Sequence, residues 1–178
     1  MALPKQYAWL DKEPGPRILK TFISIYGTTE TPGAANNKTI MGWAKRIGLT
    51  KVYTADSIPW CGLGMAYVAL ESGWDVPVSP LWARSWETWG NPIAKGKEEL
   101  GNVLVFVRKG GGHVGVYVGE DATCFHVLGC NQADSTNIKR IPKSRLLAAR
   151  ECPWRTAKPA NVRKIWLAAT GAVSKNEA

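Results

Sequence analysis

Apolar positions in the first third of the chain recur at helical spacing. In "PGPRILKTFISIY", residues 14 to 26, Ile18, Leu19, Phe22, Ile23 and Tyr26 form one stripe, with prolines at its entrance and Gly27 after it. This spacing predicts a first helix. "KTIMGWAKRIG", 38 to 48, repeats it at Ile40, Trp43, Ala44 and Ile47, with Gly48 as the expected C-cap. A third apolar run, "WCGLGMAYVALES" (60 to 72), predicts a buried helix with Pro59 near its first position and Gly73 past its end. Residues 74 to 100 carry too much proline and tryptophan for one regular element, so short turns folded over a surface are expected.

From residue 102 the period drops to two. "NVLVFVR" (102 to 108), "HVGVYVGE" (113 to 120), "TCFHVLG" (123 to 129) and "NIKRI" (137 to 141) predict an antiparallel meander, with "KGGG" as its first turn. Helices followed by strands give an α+β fold, with the N-terminal helices packed on one face of an antiparallel sheet. The 178 residues suit one domain, its core over about 14 to 155, and the tail from Lys158 reads as an extended wrap.

Composition narrows the function classes. With 45% hydrophobic and 21% charged residues the chain is built to fold. The net charge of +9 is spread as singles and pairs such as Lys45-Arg46 and Lys139-Arg140, a diffuse positive field rather than a nucleic-acid stripe. No nucleic-acid partner is expected; an anionic cell wall would be attracted. The start lacks the apolar stretch of roughly 7 to 15 residues of a secretory signal, and no run of about 20 would span a membrane. A cytoplasmic protein without membrane insertion is therefore expected. Cys61, Cys124, Cys130 and Cys152 form no CxxC pair and are expected as free thiols.

Cys61 falls in the first turn of the third helix, where backbone amides and the helix dipole would depress a thiol pKa and favour a nucleophile. A small buried filler is the plainer reading of any lone cysteine. A nucleophile needs a base, and the chain has two histidines. His113 opens its strand after three glycines, with open space expected around its ring; His126, mid-strand, is expected to be structural. Asn131, at the end of the following strand, could orient the His113 ring or could simply be a turn asparagine. Trp60 and Trp86 could wall a groove or fill the core, and Gly112 leaves backbone bare for a substrate. No metal or other cofactor is expected, since a zinc site would have to draw cysteines from distant loops and no GxxxxGK loop exists.

"PWCG" heading a buried helix, then "GNVLVF", "GGHVGVYVGE" and "HVLGCNQ", resembles the NlpC and CHAP superfamily of papain-like cell-wall peptidases and amidases, over roughly residues 14 to 155. It looks most like the compact members of phage and prophage genomes. The resemblance implies Cys61 as nucleophile, His113 as general base and Asn131 as the orienting residue, with Trp60, Trp86 and Gly112 at the substrate. It implies peptidoglycan as partner, a monomer, and a peptidoglycan endopeptidase or N-acetylmuramoyl-L-alanine amidase such as an endolysin, released by a holin or a secretion system. The chain departs from the pattern in having Trp60-Cys61-Gly62 where many relatives have Asp-Cys-Ser, and Gly129 where some carry an acidic residue. A non-catalytic wall-binding or phage structural protein of the same fold, or a cysteine acyltransferase, are the alternative readings.

Overall fold

Ile18, Leu19 and Phe22 line the buried side of α1 (Arg17–Ser24), the first of three helices in the computed structural model, which describes residues 1–177. α2 (Lys38–Ile47) begins where Asn37 Oδ1 accepts from the amides of Thr39 at 2.8 Å and Ile40 at 3.2 Å, satisfying donors that the helix leaves orphaned. It ends at Gly48, whose φ of 79° is the left-handed turn that glycine adopts without strain. α3 (Cys61–Glu71) is apolar on nearly every side because it is enclosed on nearly every side. It starts two residues after Pro59 rather than at it: Trp60 is the N-cap, and Cys61 is the first helical residue.

Two glycines explain how α3 can lie so deep. A Cβ on Gly62 would collide with the backbone of Pro80 and Leu81, and one on Gly64 with the side chain of Cys130. Glycine is unfavourable inside a helix by about 1 kcal/mol relative to alanine. Here it is what allows the loop and the sheet to close on the helix start.

The sheet has six antiparallel strands: β1 (Asn91–Ile93), β2 (Val103–Arg108), β3 (Gly111–Glu120), β4 (Cys124–Gly129), β5 (Asn137–Pro142) and β6 (Leu146–Glu151), in the order β1-β6-β2-β3-β4-β5. The meander of β2 to β5 is the expected one. β6 and β1 extend it beyond the free edge of β2 and were not foreseen, since "LLAARE" has no β-branched residue and β1 is three residues with a proline, tolerated only at an edge.

Alternate residues of β2 and β3 build two cores. Val103, Val105, Val114 and Val116 face the helices, while Leu104, Phe106 and Tyr117 join Phe125, Val127 and Ile141 on the other face. That second face is closed by the tail. Ile165 packs on it, Glu120 N–H donates to Ile165 C=O at 2.8 Å, and Leu167 N–H donates to Glu120 C=O at 2.9 Å. A 3-10 segment, Lys5–Lys12, also contributes Tyr7 and Leu10 to the buried interior, so the core starts well before residue 14. No described helix is long and apolar enough to cross a membrane.

Gly64→Ala is expected to destabilise the protein by ~1–3 kcal/mol through overpacking against Cys130, despite alanine's better helix propensity. Urea unfolding monitored by tryptophan fluorescence checks it, and a stabilised variant would refute the close approach.

Candidate active site

Three segments deliver chemistry to one end of the β2–β3–β4 ladder: the start of α3, the first residues of β3, and the turn after β4. Cys61 opens on a cleft of about 310 Å3, bordered by Pro59, Leu81, Trp82, Arg108 and Gly112. The backbone amides of Val114, Gly62 and Cys61 itself face the sulfur and favour its anion. Val114 is the residue after His113, and alternation along β3 puts the His113 side chain on the opposite face, beside its partner in register, Phe106.

Burial nevertheless wins at Cys61. Desolvation outweighs the amides and the Arg108 charge, and raises the thiol above its ordinary pKa of 9.0. The depressed pKa expected from the helix terminus alone is corrected: the thiol is held protonated at neutral pH.

His113 is wholly buried, which corrects the expectation of open space around its ring. The open space lies beside it, over Gly110 and Gly111, where an added Cβ would meet nothing within 4 Å. Its Nε2 lies 3.1 Å from Gln132 Oε1. The orientation of that amide is fixed, because Gln132 Nε2 faces the carbonyls of Val127 (3.3 Å), Gly129 (3.3 Å) and Asn137 (2.7 Å), and only an NH2 group can donate to them. Oε1 must therefore be the group facing the imidazole, and His113 Nε2 must carry the hydrogen. Nδ1 is left as the lone-pair nitrogen, buried and without a partner. Desolvation lowers the His113 pKa from 6.5 to about 4, with Glu177 opposing only in part, so the ring is neutral and basic at Nδ1 above that pH.

Asn131 does not orient the imidazole. Its Oδ1 is buried with no partner, and its backbone sits at φ 53°, in the left-handed region where asparagine is tolerated. That twist turns the chain so that the next residue, Gln132, faces His113. The two adjacent amides of "CNQAD" were the available signal; which one faces the strand depends on the turn.

Trp60 and Trp86 are also corrected as groove walls. Both are fully buried, with the Trp60 indole donating to Glu30 Oε1 at 2.6 Å and that of Trp86 to the Pro80 carbonyl at 3.1 Å. The aromatic that borders the cleft is Trp82, which is 74% exposed. Gly112 does lie at the cleft, tight against Ala83 and Arg84. His126 is structural as expected: Tyr7 Oη lies 2.7 Å from its Nδ1 and Asp121 Oδ2 lies 3.1 Å from its Nε2, and Arg140 pairs with the same carboxylate at 2.8 Å. Among the described residues, no group of three His, Cys, Asp or Glu side chains is gathered to hold a metal, and all four cysteines are free.

The thiol, the helix-terminal amides and the cleft share the helix face of the sheet; the His113 ring, paired in register with Phe106, lies on the opposite face with no hydrogen bond to Cys61. No family model matches the chain, and the search of curated proteins finds no match either.

Because the Cys61 pKa is raised, its thiolate fraction grows with pH across the neutral range. Alkylation of Cys61 by iodoacetamide, followed by peptide mass spectrometry, is expected to be slow at pH 7 and to quicken about tenfold per pH unit up to pH 9. A rate already at its plateau at pH 7 would instead reveal a preformed thiolate.

Proposed function

We propose that the chain is a papain-like cysteine peptidase or amidase of the NlpC and CHAP kind, hydrolysing amide bonds of bacterial peptidoglycan in the manner of a phage endolysin. One observation carries the reading: a thiol at a helix start lines a cleft at the end of the sheet where β3 begins with a histidine whose Nδ1 is the lone-pair nitrogen, although the ring rests on the opposite face and has to turn to reach the thiol.

Neutral thiol and neutral imidazole are the starting pair. As Cys61 Sγ bonds to the amide carbon, its proton goes to His113 Nδ1, a transfer that requires the start of β3 to turn the ring from the opposite sheet face to the cleft, and the carbonyl oxygen becomes an oxyanion stabilised by backbone N–H groups at the start of α3. Collapse of this intermediate breaks the C–N bond, and His113 returns the proton to the leaving amine. Water then attacks the thioester, gives a proton to Nδ1, and releases a carboxylic acid as the thiol is restored. In the resting structure Gln132 accepts from Nε2–H, the part an asparagine plays in papain-like enzymes.

The substrate side also fits a wall polymer. The segment 74 to 90 borders the Cys61 cleft at Leu81 and Trp82, and a second hollow of about 570 Å3 between Trp74, Trp89 and Arg155. A glycopeptide strand could occupy both. The +9 charge would concentrate the protein at an anionic wall.

Digestion of purified peptidoglycan by the wild type, but not by Cys61→Ala, should release new amine and carboxyl ends that mass spectrometry assigns to one bond. No new ends from a folded wild-type protein would overturn the hydrolase reading. Gln132→Ala is expected to reduce turnover ~100-fold by freeing the imidazole, whereas Asn131→Gly, which suits the positive φ, should keep most of it. The reverse ranking would restore Asn131 as the orienting residue.

A further inference from the structure

Arg108 ends β2 opposite Gly111 and is the one charged side chain among the described residues that line the Cys61 cleft. It has no ion pair or hydrogen bond among the described residues, and its Nε is buried with no partner. Its charge reaches both site groups, opposing the burial shift at Cys61 and adding to it at His113. A desolvated guanidinium N–H without an acceptor is unfavourable until a ligand supplies one. Among the described residues no aspartate or glutamate lines the cleft to act as that acceptor.

We propose that Arg108 is a carboxylate receptor, a specificity-determining residue that selects substrates bearing a free carboxylate next to the amide that Cys61 attacks. The inference rests on the hydrolase reading for the word substrate, but the receptor itself needs only the cleft. The fork of Nε–H and one Nη–H matches the two oxygens of a carboxylate side-on, a geometry that lysine does not reproduce. The bare backbone of Gly110 and Gly111 leaves the approach unobstructed, and Trp82 provides an apolar wall across from it. An acidic peptide would thus be gripped by its charge while its neighbouring carbonyl lies near the sulfur. The diffuse positive field brings the polymer near, and Arg108 fixes the register.

The test uses Cys61 itself as the reporter, and does not depend on hydrolysis. Iodoacetate and iodoacetamide carry the same leaving group, and the thiolate displaces iodide from either; they differ in that one has a carboxylate and the other an amide. Their rates at Cys61 are measured at pH 8 and 0.15 M salt by peptide mass spectrometry and divided by their rates with N-acetylcysteine. In the wild type the corrected ratio should favour iodoacetate about tenfold, the effect of one charge-assisted pair in a partly desolvated site. Arg108→Gln should abolish the preference and Arg108→Lys should retain part of it. Lys109→Gln, which removes an exposed neighbouring charge, should leave it unchanged.

A wild-type ratio near one, equal loss in Lys109→Gln, or failure of both reagents to reach Cys61 would overturn the receptor. If the wild type cleaves peptidoglycan, stem peptides with free carboxylates should show a lower KM than amidated ones, and Arg108→Gln should erase the difference; equal KM values would count against the proposal. If it cleaves nothing but the Arg108-dependent preference persists, the hydrolase reading falls and the anion receptor stands.

Discussion

The amide of Gln132 is the fixed point of the site. Three backbone carbonyls can be satisfied only by its NH2 end, and that single constraint sets the carbonyl end toward His113, the hydrogen on Nε2 and the lone pair on Nδ1. The carbonyls belong to β4 and to the start of β5, so the pairing of these strands is what defines the tautomer. The connecting turn is strained to make this possible. Asn131, Ala133 and Asp134 all have φ between 53° and 57°, a region that costs non-glycine residues ~1 kcal/mol or more each. Surrounding bonds hold it: Gln132 N–H to Ser135 C=O, Ala133 N–H to Glu177 C=O and Glu30 N–H to Asp134 C=O, at 2.9, 2.9 and 3.0 Å. The tail and the α1–α2 connection thereby support the turn from both sides.

The thiol obeys a second constraint that works against the first turn of its helix. A helix terminus stabilises an anion, and an exposed cysteine there would ionise readily. Gly62 and Gly64 let the chain close so tightly around α3 that desolvation dominates, and Cys61 is only 4% exposed. Burial thus holds the thiol neutral at the position where a helix terminus alone would favour its anion. Burial moves the two groups in opposite directions, raising the thiol and lowering the imidazole, so both favour the uncharged pair.

Much of this architecture was legible in the sequence because it follows period and punctuation. The 3.6-residue stripes of α1 and α2, the Gly48 cap and the alternation of β2 through β4 are local patterns, and they fold as they read. The missing pieces answer to distant partners. β6 is a strand because β2 offers it a free edge, and the Lys5–Lys12 segment packs in because Tyr7 meets His126 across the fold. The same division runs through the site. Cys61 and His113 stand at element starts, which sequence marks; Gln132 takes the place expected of its neighbour because a left-handed backbone angle, invisible in the letters, chooses between two amides. Trp60 and Trp86 went inward for a similar reason, each finding an oxygen for its indole N–H in the interior.

The distribution of unsatisfied polar atoms adds an argument independent of any motif. Native folds leave few buried donors or acceptors unpaired, and five side-chain atoms here lack a hydrogen bond among the described residues. Three of them, Arg108 Nε, His113 Nδ1 and Asn131 Oδ1, belong to the end of β2, the start of β3 and the turn after β4, which lie at the same end of the sheet. A fourth, Glu120 Oε1, has an ion-pair partner in Lys164 at 2.8 Å. Folding alone would favour pairing or removing such groups, since each is a penalty carried by the native state. Of the three, only Arg108 borders the cleft; His113 Nδ1 lies on the other face of the sheet, so the same end of the fold carries unpaired groups on both sides.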